Sequence, residues 1–204
     1  METKTERSEL TLAAILDTSL AMAAADGLDS LTIGEVAKRL GLSKSGVFSR
    51  IGSREALQAA VIEEYSRRFL ADVFTPAMRE PRGLPRLNAI MRLWMQRARD
   101  LEIERGCLYC AGAFEFDDRE GPLRELLLTH VQRWRSALRR TVLQAIEAGH
   151  LRPDVDPDQL VFELDGLFVA LMREARFLRD PRAADRAWGA YERLIGHLQL
   201  APPR

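Results

Sequence analysis

Residues 32–57 have the sequence Thr-Ile-Gly-Glu-Val-Ala-Lys-Arg-Leu-Gly-Leu-Ser-Lys-Ser-Gly-Val-Phe-Ser-Arg-Ile-Gly-Ser-Arg-Glu-Ala-Leu. The spacing of apolar residues in this stretch predicts two short helices joined by a tight turn, followed by the start of a longer helix. Thr32 can cap the first helix, and Glu35 stands three residues later, as a capping box requires. Gly41 follows at the point where a left-handed residue would end that helix.

The second helix is expected from about Lys44 to Arg50, with Ser43 as its N-cap. Two helices joined in this way form a helix-turn-helix, and the second helix is the one that enters the major groove of DNA. Its front is formed by small residues, including Ser45 and Gly46, which let the helix backbone approach DNA closely. Lysine and serine side chains at this front can donate hydrogen bonds to bases or phosphates.

The charge distribution supports this interpretation. The whole chain has 30 basic and 30 acidic residues, so its formal net charge is zero. Between Val36 and Arg54, however, every charged residue is basic. These residues are Lys38, Arg39, Lys44, Arg50 and Arg54. A phosphate backbone would select such a local positive patch.

The length of 204 residues fits one large or two small domains, and 47% hydrophobic with 29% charged residues is typical of a soluble globular protein. We find no apolar run that approaches the roughly 20 residues of a membrane span, and no signal-peptide pattern at the N-terminus. Two cysteines are too few for a disulfide scaffold. We therefore expect a cytoplasmic protein that does not contact a membrane.

Apolar residues recur at helical spacing along the rest of the chain, so the expected fold is all-α, with about nine helices. We predict a first helix ending before Gly27, and a helix from about Arg54 to Phe74 after the helix-turn-helix. The remaining helices are expected at about 86–101, 107–116, 123–148 and 157–179, with a last helix after Asp180-Pro181.

The helix expected at 157–179 is apolar on most of its sides, so it must be buried on two faces. One face can pack in its own domain, and the other needs another partner. Together with the last helix it predicts a homodimer through a four-helix bundle. A dimer is also what a helix-turn-helix protein needs in order to contact two half-sites on DNA.

The N-terminal pattern resembles the DNA-binding domain of the TetR (tetracycline-repressor-like) family of regulators. The matching residues are Ala13, Ile15, Leu16, Ala23, Ala25, Gly27, Thr32, Ile33, Val36, Ala37, Gly41, Leu42, Ser43, Gly46, Val47, Phe48 and the run Ser53-Arg54-Glu55-Ala56-Leu57. The resemblance implies a DNA-binding domain in residues 1–53 and a helical ligand-binding and dimerisation domain in residues 54–204. It also implies a repressor, not an enzyme, that leaves its operator when a small molecule binds.

Within that scheme, Lys44, Ser45, Ser49 and Arg50 are expected to contact double-stranded operator DNA. Ser43 and Gly46 complete the front of the same helix, while Thr32, Phe48 and Arg54 would position the DNA backbone around it. By analogy with the family, helices between about 86 and 180 would enclose an effector pocket. Candidate pocket residues are Met91, Trp94, Met95, Cys110, Phe114, His130, Trp134, Phe168 and Met172. Such a lining predicts an apolar or aromatic effector with few charges.

Several of these features also have simpler explanations. Each pocket candidate is more often a core residue, and Cys107 with Cys110 is more often packing than a redox pair. We expect no metal site and no cofactor, because one C-x-x-C without a second pair is a poor zinc site. No serine or cysteine is predictably paired with His130, while Asp165 would face either a dimer partner or a polar effector.

Two alternatives remain at the level of the sequence. One is a thiol-based redox regulator or helical thiol oxidoreductase that uses Cys107 and Cys110; as an oxidoreductase it would leave the positive helix-turn-helix unexplained. The other is a DNA-binding module with a solid C-terminal core and no effector.

Overall fold

The computed structural model of the protein describes residues 4–200, and the chain is all-α there, with nine continuous helices in these residues. The first four are α1 (Lys4–Asp26), α2 (Ile33–Leu40), α3 (Lys44–Ile51) and α4 (Arg54–Phe69, continued by Leu70–Phe74 and Thr75–Ala77). The next three are α5 (Leu84–Arg97, continued by Ala98–Glu102 and Ile103–Arg105), α6 (Leu108–Glu115) and α7 (Pro122–Glu147). The last two are α8 (Pro157–Met172, continued by Arg173–Phe177) and α9 (Ala183–Leu198).

Local capping chemistry explains why the helices begin and end where the sequence predicts. Gly41 is in the left-handed conformation, with φ 65° and ψ 26°, and ends α2. At the start of α8, the Asp156 side chain accepts hydrogen bonds from the backbone N–H groups of Asp158 and Gln159. Pro157 follows it at the first helical position, where its missing N–H costs nothing. These signals need no tertiary contact, which is why they can be read from the sequence.

The chain divides into two compact units: the described residues of Met1–Arg68 with Arg105–His130, and the described residues of Phe69–Glu104 with Val131–Arg204. The expected functional boundary after residue 53 is a separate matter and stays a prediction. In the first unit the buried core includes Ile15, Leu28, Leu31, Val36, Val47 and Leu57. The helical spacing of apolar residues predicts Leu16, Leu20 and Leu40 in this core as well, but they are only half-buried.

The reason for that difference is the rotation of α1. Its buried face runs through Ile15, Ser19 and Met22 instead of through the leucines. Ser19 is tolerated there because its hydroxyl donates to the Ile15 carbonyl at 2.7 Å, which satisfies the buried polar group. Periodicity alone does not distinguish a stripe with a buried serine from the leucine stripe beside it.

In the second unit, α5, α7, α8 and α9 contribute the core residues Ile90, Trp94, Leu138, Leu164, Phe168 and Tyr191. The Tyr191 hydroxyl donates to Asn88 Oδ1 at 2.6 Å, so this buried tyrosine has an acceptor. Three helices of this unit contain a five-residue π-helical stretch, at Leu70–Phe74, Ala98–Glu102 and Arg173–Phe177. Arg176 Nη1 donates to the carbonyls of Glu102 and Ile103, which satisfies groups near the end of the second stretch.

One helical segment among the described residues, Ser8–Asp26, is long and apolar enough to cross a membrane by length and composition. The expectation that no stretch approaches a span was therefore too strict. Core helices pass the same test, and this segment is the part of α1 that carries the buried residues Ile15, Ser19, Met22 and Ala23. A single helix of this kind is only weak evidence for a membrane role.

Candidate nucleic-acid interface

The helix-turn-helix presents the outer face of α3 to solvent. Lys44, Ser45, Ser49 and Arg50 are all exposed, and Phe48 is 56% exposed. Val47 points the other way and is fully buried. A single inward residue on a short helix leaves most of its surface available, which is the geometry that an element entering a DNA groove needs.

The start of α3 is held by Ser43. Its hydroxyl accepts a hydrogen bond from the Gly46 backbone N–H at 3.0 Å and lies 3.2 Å from the Ser45 hydroxyl. A Cβ at Gly46 would lie 3.0 Å from the Ser43 oxygen, so glycine keeps this cap uncrowded. Ser43 and Gly46 therefore fix the front of the helix whether or not they also touch DNA.

At the other end of α3, the side chains of Ser49 and Arg50 turn back onto the helix. The Ser49 hydroxyl and Arg50 Nη1 both donate to the Gly46 carbonyl, at 3.1 and 2.8 Å. This contact uses one of the five guanidinium N–H donors of Arg50. The arginine is thus oriented along the exposed face and has further donors for a phosphate or a guanine edge.

Thr32 and Arg54 have structural roles at the edge of the motif. Thr32 Oγ1 accepts from the Glu35 backbone N–H at 3.1 Å, as the capping pattern predicts. Arg54 donates from Nε to the Leu31 carbonyl at 2.9 Å, and from Nη2 to the carbonyl of Asp29. The guanidinium therefore joins the start of α4 to the turn before α2; a contact with a DNA phosphate remains a prediction.

That turn, residues 27–31, which we name the entry turn, is also held by side chains from a distant part of the sequence. The two carboxylate oxygens of Glu115, at the end of α6, accept the backbone N–H groups of Leu28 and Asp29, at 2.9 and 2.8 Å. Arg119 forms an ion pair with the Asp29 carboxylate. Glu115 therefore caps backbone N–H groups of a turn that lies 86 and 87 residues earlier in the chain.

The buried side chain of Gln58 completes the grip, because its Nε2 donates to the Leu28 carbonyl at 2.8 Å. Leu28 and Leu31 are fully buried beneath these polar contacts. The helix-turn-helix is consequently anchored at its entry by α4, by α6 and by the segment that follows α6. None of these partners carries a local sequence signal for the contact.

His130 has partners that the sequence did not predict. Its Nδ1 lies 2.9 Å from the Ser66 hydroxyl, and its Nε2 lies 3.3 Å from a carboxylate oxygen of Glu63. No serine partner of His130 could be predicted from the sequence, because α4 brings Ser66 to it from 64 residues away. Ser66 and His130 are both buried, which fits the predicted core histidine better than a nucleophile that meets a substrate from solvent.

The cysteines lie at the start of α6. Cys107 is the N-cap residue and is buried, with its Sγ 3.2 Å from the Tyr65 hydroxyl, while Cys110 is half-buried; the two cysteines form no disulfide within the described residues. Tyr65 also makes an edge-on contact with Tyr109, with ring centroids 4.8 Å apart. These contacts favour packing over a redox pair.

In the second unit, the candidate effector residues Met91, Trp94, Met95, Trp134, Phe168 and Met172 are all buried. Trp94 stacks on Phe168 with ring centroids 4.2 Å apart, and Trp134 meets Trp94 and Phe69 edge-on at 4.9 and 4.8 Å. We name these four rings (Phe69, Trp94, Trp134 and Phe168) the aromatic cluster. Phe114 does not share such an environment, because 69% of its surface is exposed.

Three ion pairs accompany the cluster. Arg97 is buried, lies over the Phe69 ring, and pairs with the carboxylates of Glu102 and Asp72. Asp165 pairs with Arg135, so it faces α7 of its own chain, a partner that neither sequence-based alternative included. Burial raises the pKa of the Asp165 carboxyl, while the neighbouring Arg135 acts in the opposite direction. Within the described residues, no group of three or more His, Cys, Asp or Glu side chains could hold a metal ion.

Comparisons with known proteins agree with this architecture. The family profile "Bacterial regulatory proteins, tetR family" matches residues 15–61, and "Tetracyclin repressor-like, C-terminal domain" matches residues 83–191. A comparison with curated protein sequences finds no match.

Solved structures are similar over nearly the whole chain. A TetR-family regulator from Cytophaga hutchinsonii has a TM-score of 0.80 at 18% identity, covering 99% of this chain and 100% of its own. One from Chloroflexus aurantiacus has a TM-score of 0.80 at 22% identity, covering 96% and 99%. AibR, solved in complex with isovaleryl coenzyme A and operator DNA, has a TM-score of 0.72 at 19% identity, covering 92% and 97%. Since the C-terminal profile alone spans more than half of the chain and the N-terminal profile covers the helix-turn-helix, the chain belongs to the TetR family of DNA-binding transcriptional regulators.

Proposed function

We propose that the protein is a homodimeric repressor that leaves its double-stranded operator when a small apolar or aromatic effector binds. The observation that carries this proposal is the exposed basic face of α3 on a helix-turn-helix that is anchored on several sides. Lys44, Ser45, Ser49 and Arg50 contact DNA, and Thr32, Ser43, Gly46, Phe48 and Arg54 surround that contact. Such a regulator works in the cytoplasm. Residues 1–53 bind DNA, and residues 54–204 bind the effector and form the dimer.

The grip on the entry turn supports a DNA-reading role. Base contacts specify a sequence only if the helix that makes them is held in a fixed position on the duplex. Glu115, Arg54 and Gln58 satisfy backbone groups of the entry turn that would otherwise have to be solvated. The entry turn therefore holds the start of α2 in a fixed position. The turn at Gly41, which caps α2, connects α2 to α3.

An apolar stripe on α8 supports the proposed dimer. Phe162 is 65% exposed and Val169 is 40% exposed, and the exposed Gly166 and Ala170 lie between and beside them at helical spacing. The opposite face of α8 is buried in its own unit through Leu164, Phe168 and Leu171. Small residues next to large apolar ones let a second copy of the helix pack closely.

The aromatic cluster supports an effector of low charge. AibR has been solved with a coenzyme A thioester, which is a charged ligand, so the family relationship alone does not fix the effector class. In this chain the buried candidate residues are aromatic and thioether in character. A bound effector shifts the repressor between states only by the difference in its affinity for them.

The test is binding of the purified protein to DNA from around its own gene, with competitor DNA present, over a range of salt concentrations. We expect specific binding whose affinity falls steeply as salt rises, because bound Lys and Arg side chains release counterions from the phosphates. Binding that is absent, or that is insensitive to salt, would refute the proposed function.

A further inference from the structure

The indole N–H of Trp134 is a buried donor without an acceptor. Trp134 is 5% exposed, and no acceptor among the described residues lies within hydrogen-bond reach of its Nε1. Buried polar groups are almost always hydrogen-bonded, because an unsatisfied donor keeps the full cost of losing its water. The edge-on contacts with Phe69 and Trp94 can supply at most a weak N–H···π interaction. Something outside the described protein groups therefore completes this site.

The side chains around Trp134 are mainly aromatic rings. Its ring is flanked by Phe69 and Trp94, and Trp94 is itself stacked on Phe168 with the two ring planes only 14° apart. Rings that already stack and meet edge-on can accept a further aromatic ring in the same geometries. A ligand of this kind would bring apolar area to the cluster and one polar atom to the indole.

The charges near the cluster argue against an anionic group on that ligand. Arg97 is matched by Glu102 and Asp72, and Arg135, next to Trp134 in the chain, is matched by Asp165. A carboxylate or phosphate would compete with these carboxylates for the two arginines, and displacing Glu102, whose side chain is 2% exposed, would leave a buried charge unpaired. A neutral acceptor, such as a ring nitrogen or a carbonyl oxygen, avoids that cost.

We propose that Trp134 Nε1 is the polar recognition point of the effector site, and that it selects neutral aromatic molecules carrying a hydrogen-bond acceptor. This inference rests on the proposed function, since it names the ligand class of the same site. It assigns selectivity to one side chain: the three other rings of the cluster contribute area, whereas Trp134 distinguishes between molecules of equal shape.

The experiment compares quinoline with naphthalene, because the two bicyclic rings have nearly the same shape and only quinoline carries an acceptor. The full chain has three tryptophans, so its ¹⁵N–¹H spectrum contains few indole signals, and Trp134→Phe identifies the one of interest. We expect quinoline to bind about ten-fold more tightly than naphthalene and to move the Trp134 indole signal downfield. The anionic 2-naphthoate should bind more weakly than quinoline.

In Trp134→Phe the preference for quinoline over naphthalene should disappear, while Trp188→Phe, which changes a half-buried tryptophan outside the cluster, should keep it. If Trp134→Phe does not fold, Trp94→Phe and Trp188→Phe identify the Trp134 signal by elimination in the spectrum of the wild type.

Equal binding of the two probes, a Trp134 signal that does not move with quinoline, or no binding of either probe would overturn the assignment. Operator binding by the same preparation is measured separately, so its failure counts against the proposed function and a lost quinoline preference counts against Trp134 alone.

Discussion

Gly106 has a backbone conformation that only glycine adopts easily, with φ at 109°. A Cβ at this position would lie 2.4 Å from the Ala24 carbonyl oxygen, which is a backbone atom and cannot turn away. We expect Gly106→Ala to lower the free energy of unfolding by at least about 2 kcal/mol, through backbone strain and this clash. Gly34→Ala is the matched control, because a Cβ there meets nothing within 4 Å. Urea unfolding that gives both variants the same stability would contradict this account of Gly106.

Glu115 uses both of its carboxylate oxygen atoms to hold the entry turn. In Glu115→Gln one oxygen becomes an NH₂ group, which cannot accept the N–H of Leu28 or Asp29. We expect a loss of about 1–3 kcal/mol in local stability, seen as roughly ten-fold or faster hydrogen exchange of these two amides. Glu120→Gln changes an exposed carboxylate of the following segment and serves as control. Unchanged exchange at both amides in Glu115→Gln would disprove the grip on the entry turn.

These two residues also mark the limit of what the sequence predicts. Thr32, Gly41, Ser43 and Asp156 act on groups within a few residues of themselves, so their roles follow from local chemistry. Glu115 and Ser66 act on groups far away in the chain. Nothing local distinguishes such a glutamate or serine from a solvated one, since its partner is set by how the helices pack.

At the scale of helices, α4 is tied to α1 through a charged cluster in the first unit. Arg68 pairs with both Glu64 and Asp17, and Arg67 also pairs with Glu64. The hydrogen bond from Arg67, reinforced by Arg68, lowers the pKa of the Glu64 carboxyl to about 2. A carboxyl whose pKa is lower in the folded state than in the unfolded state contributes most to the free energy of unfolding at pH values where it is ionised in both states.

The stability contributed by Glu64 should therefore be complete above its ordinary pKa of 4.5 and disappear as the pH falls towards about 2. We expect Glu64→Gln to be less stable than the wild type by roughly 1–2 kcal/mol near pH 6, after allowance for solvent screening. That difference should narrow steadily as the pH falls below 4.5, as measured by urea unfolding at several pH values. A difference that stays constant over this range would show that the charge of Glu64 does not stabilise the fold through its pairs with Arg67 and Arg68.

At the scale of the molecule, the helix order could be predicted because each helix is bounded by a Gly, a Pro or a capping side chain. The rotation of each helix was less predictable, as the buried stripe of α1 illustrates. The candidate effector residues also differ in how well their burial could be predicted. Met91, Trp94 and Phe168 are buried as their spacing predicts. Phe114 is exposed, because the short helix α6 turns it towards solvent.

The apolar stripe on α8 leads to a prediction about assembly. We expect Phe162→Asp to shift the protein from dimer to monomer in sedimentation experiments, because it places a charge in a desolvated contact between two copies. Phe114→Asp introduces the same charge at an equally exposed phenylalanine outside α8 and should leave the dimer intact. If the two variants sediment alike, α8 does not form the dimer contact.

The role of α3 can be measured through the salt dependence of DNA binding. Lys44→Ala combined with Arg50→Ala should weaken operator binding at least about ten-fold and lower the slope of log K against log salt by about 1–2, because up to two phosphate or base contacts are lost. The control, Arg133→Ala combined with Arg140→Ala, removes the same charge from exposed positions of α7 and should keep the slope and affinity of the wild type. Equal slopes and affinities for the two double variants would contradict the assignment of α3 as the helix that contacts DNA.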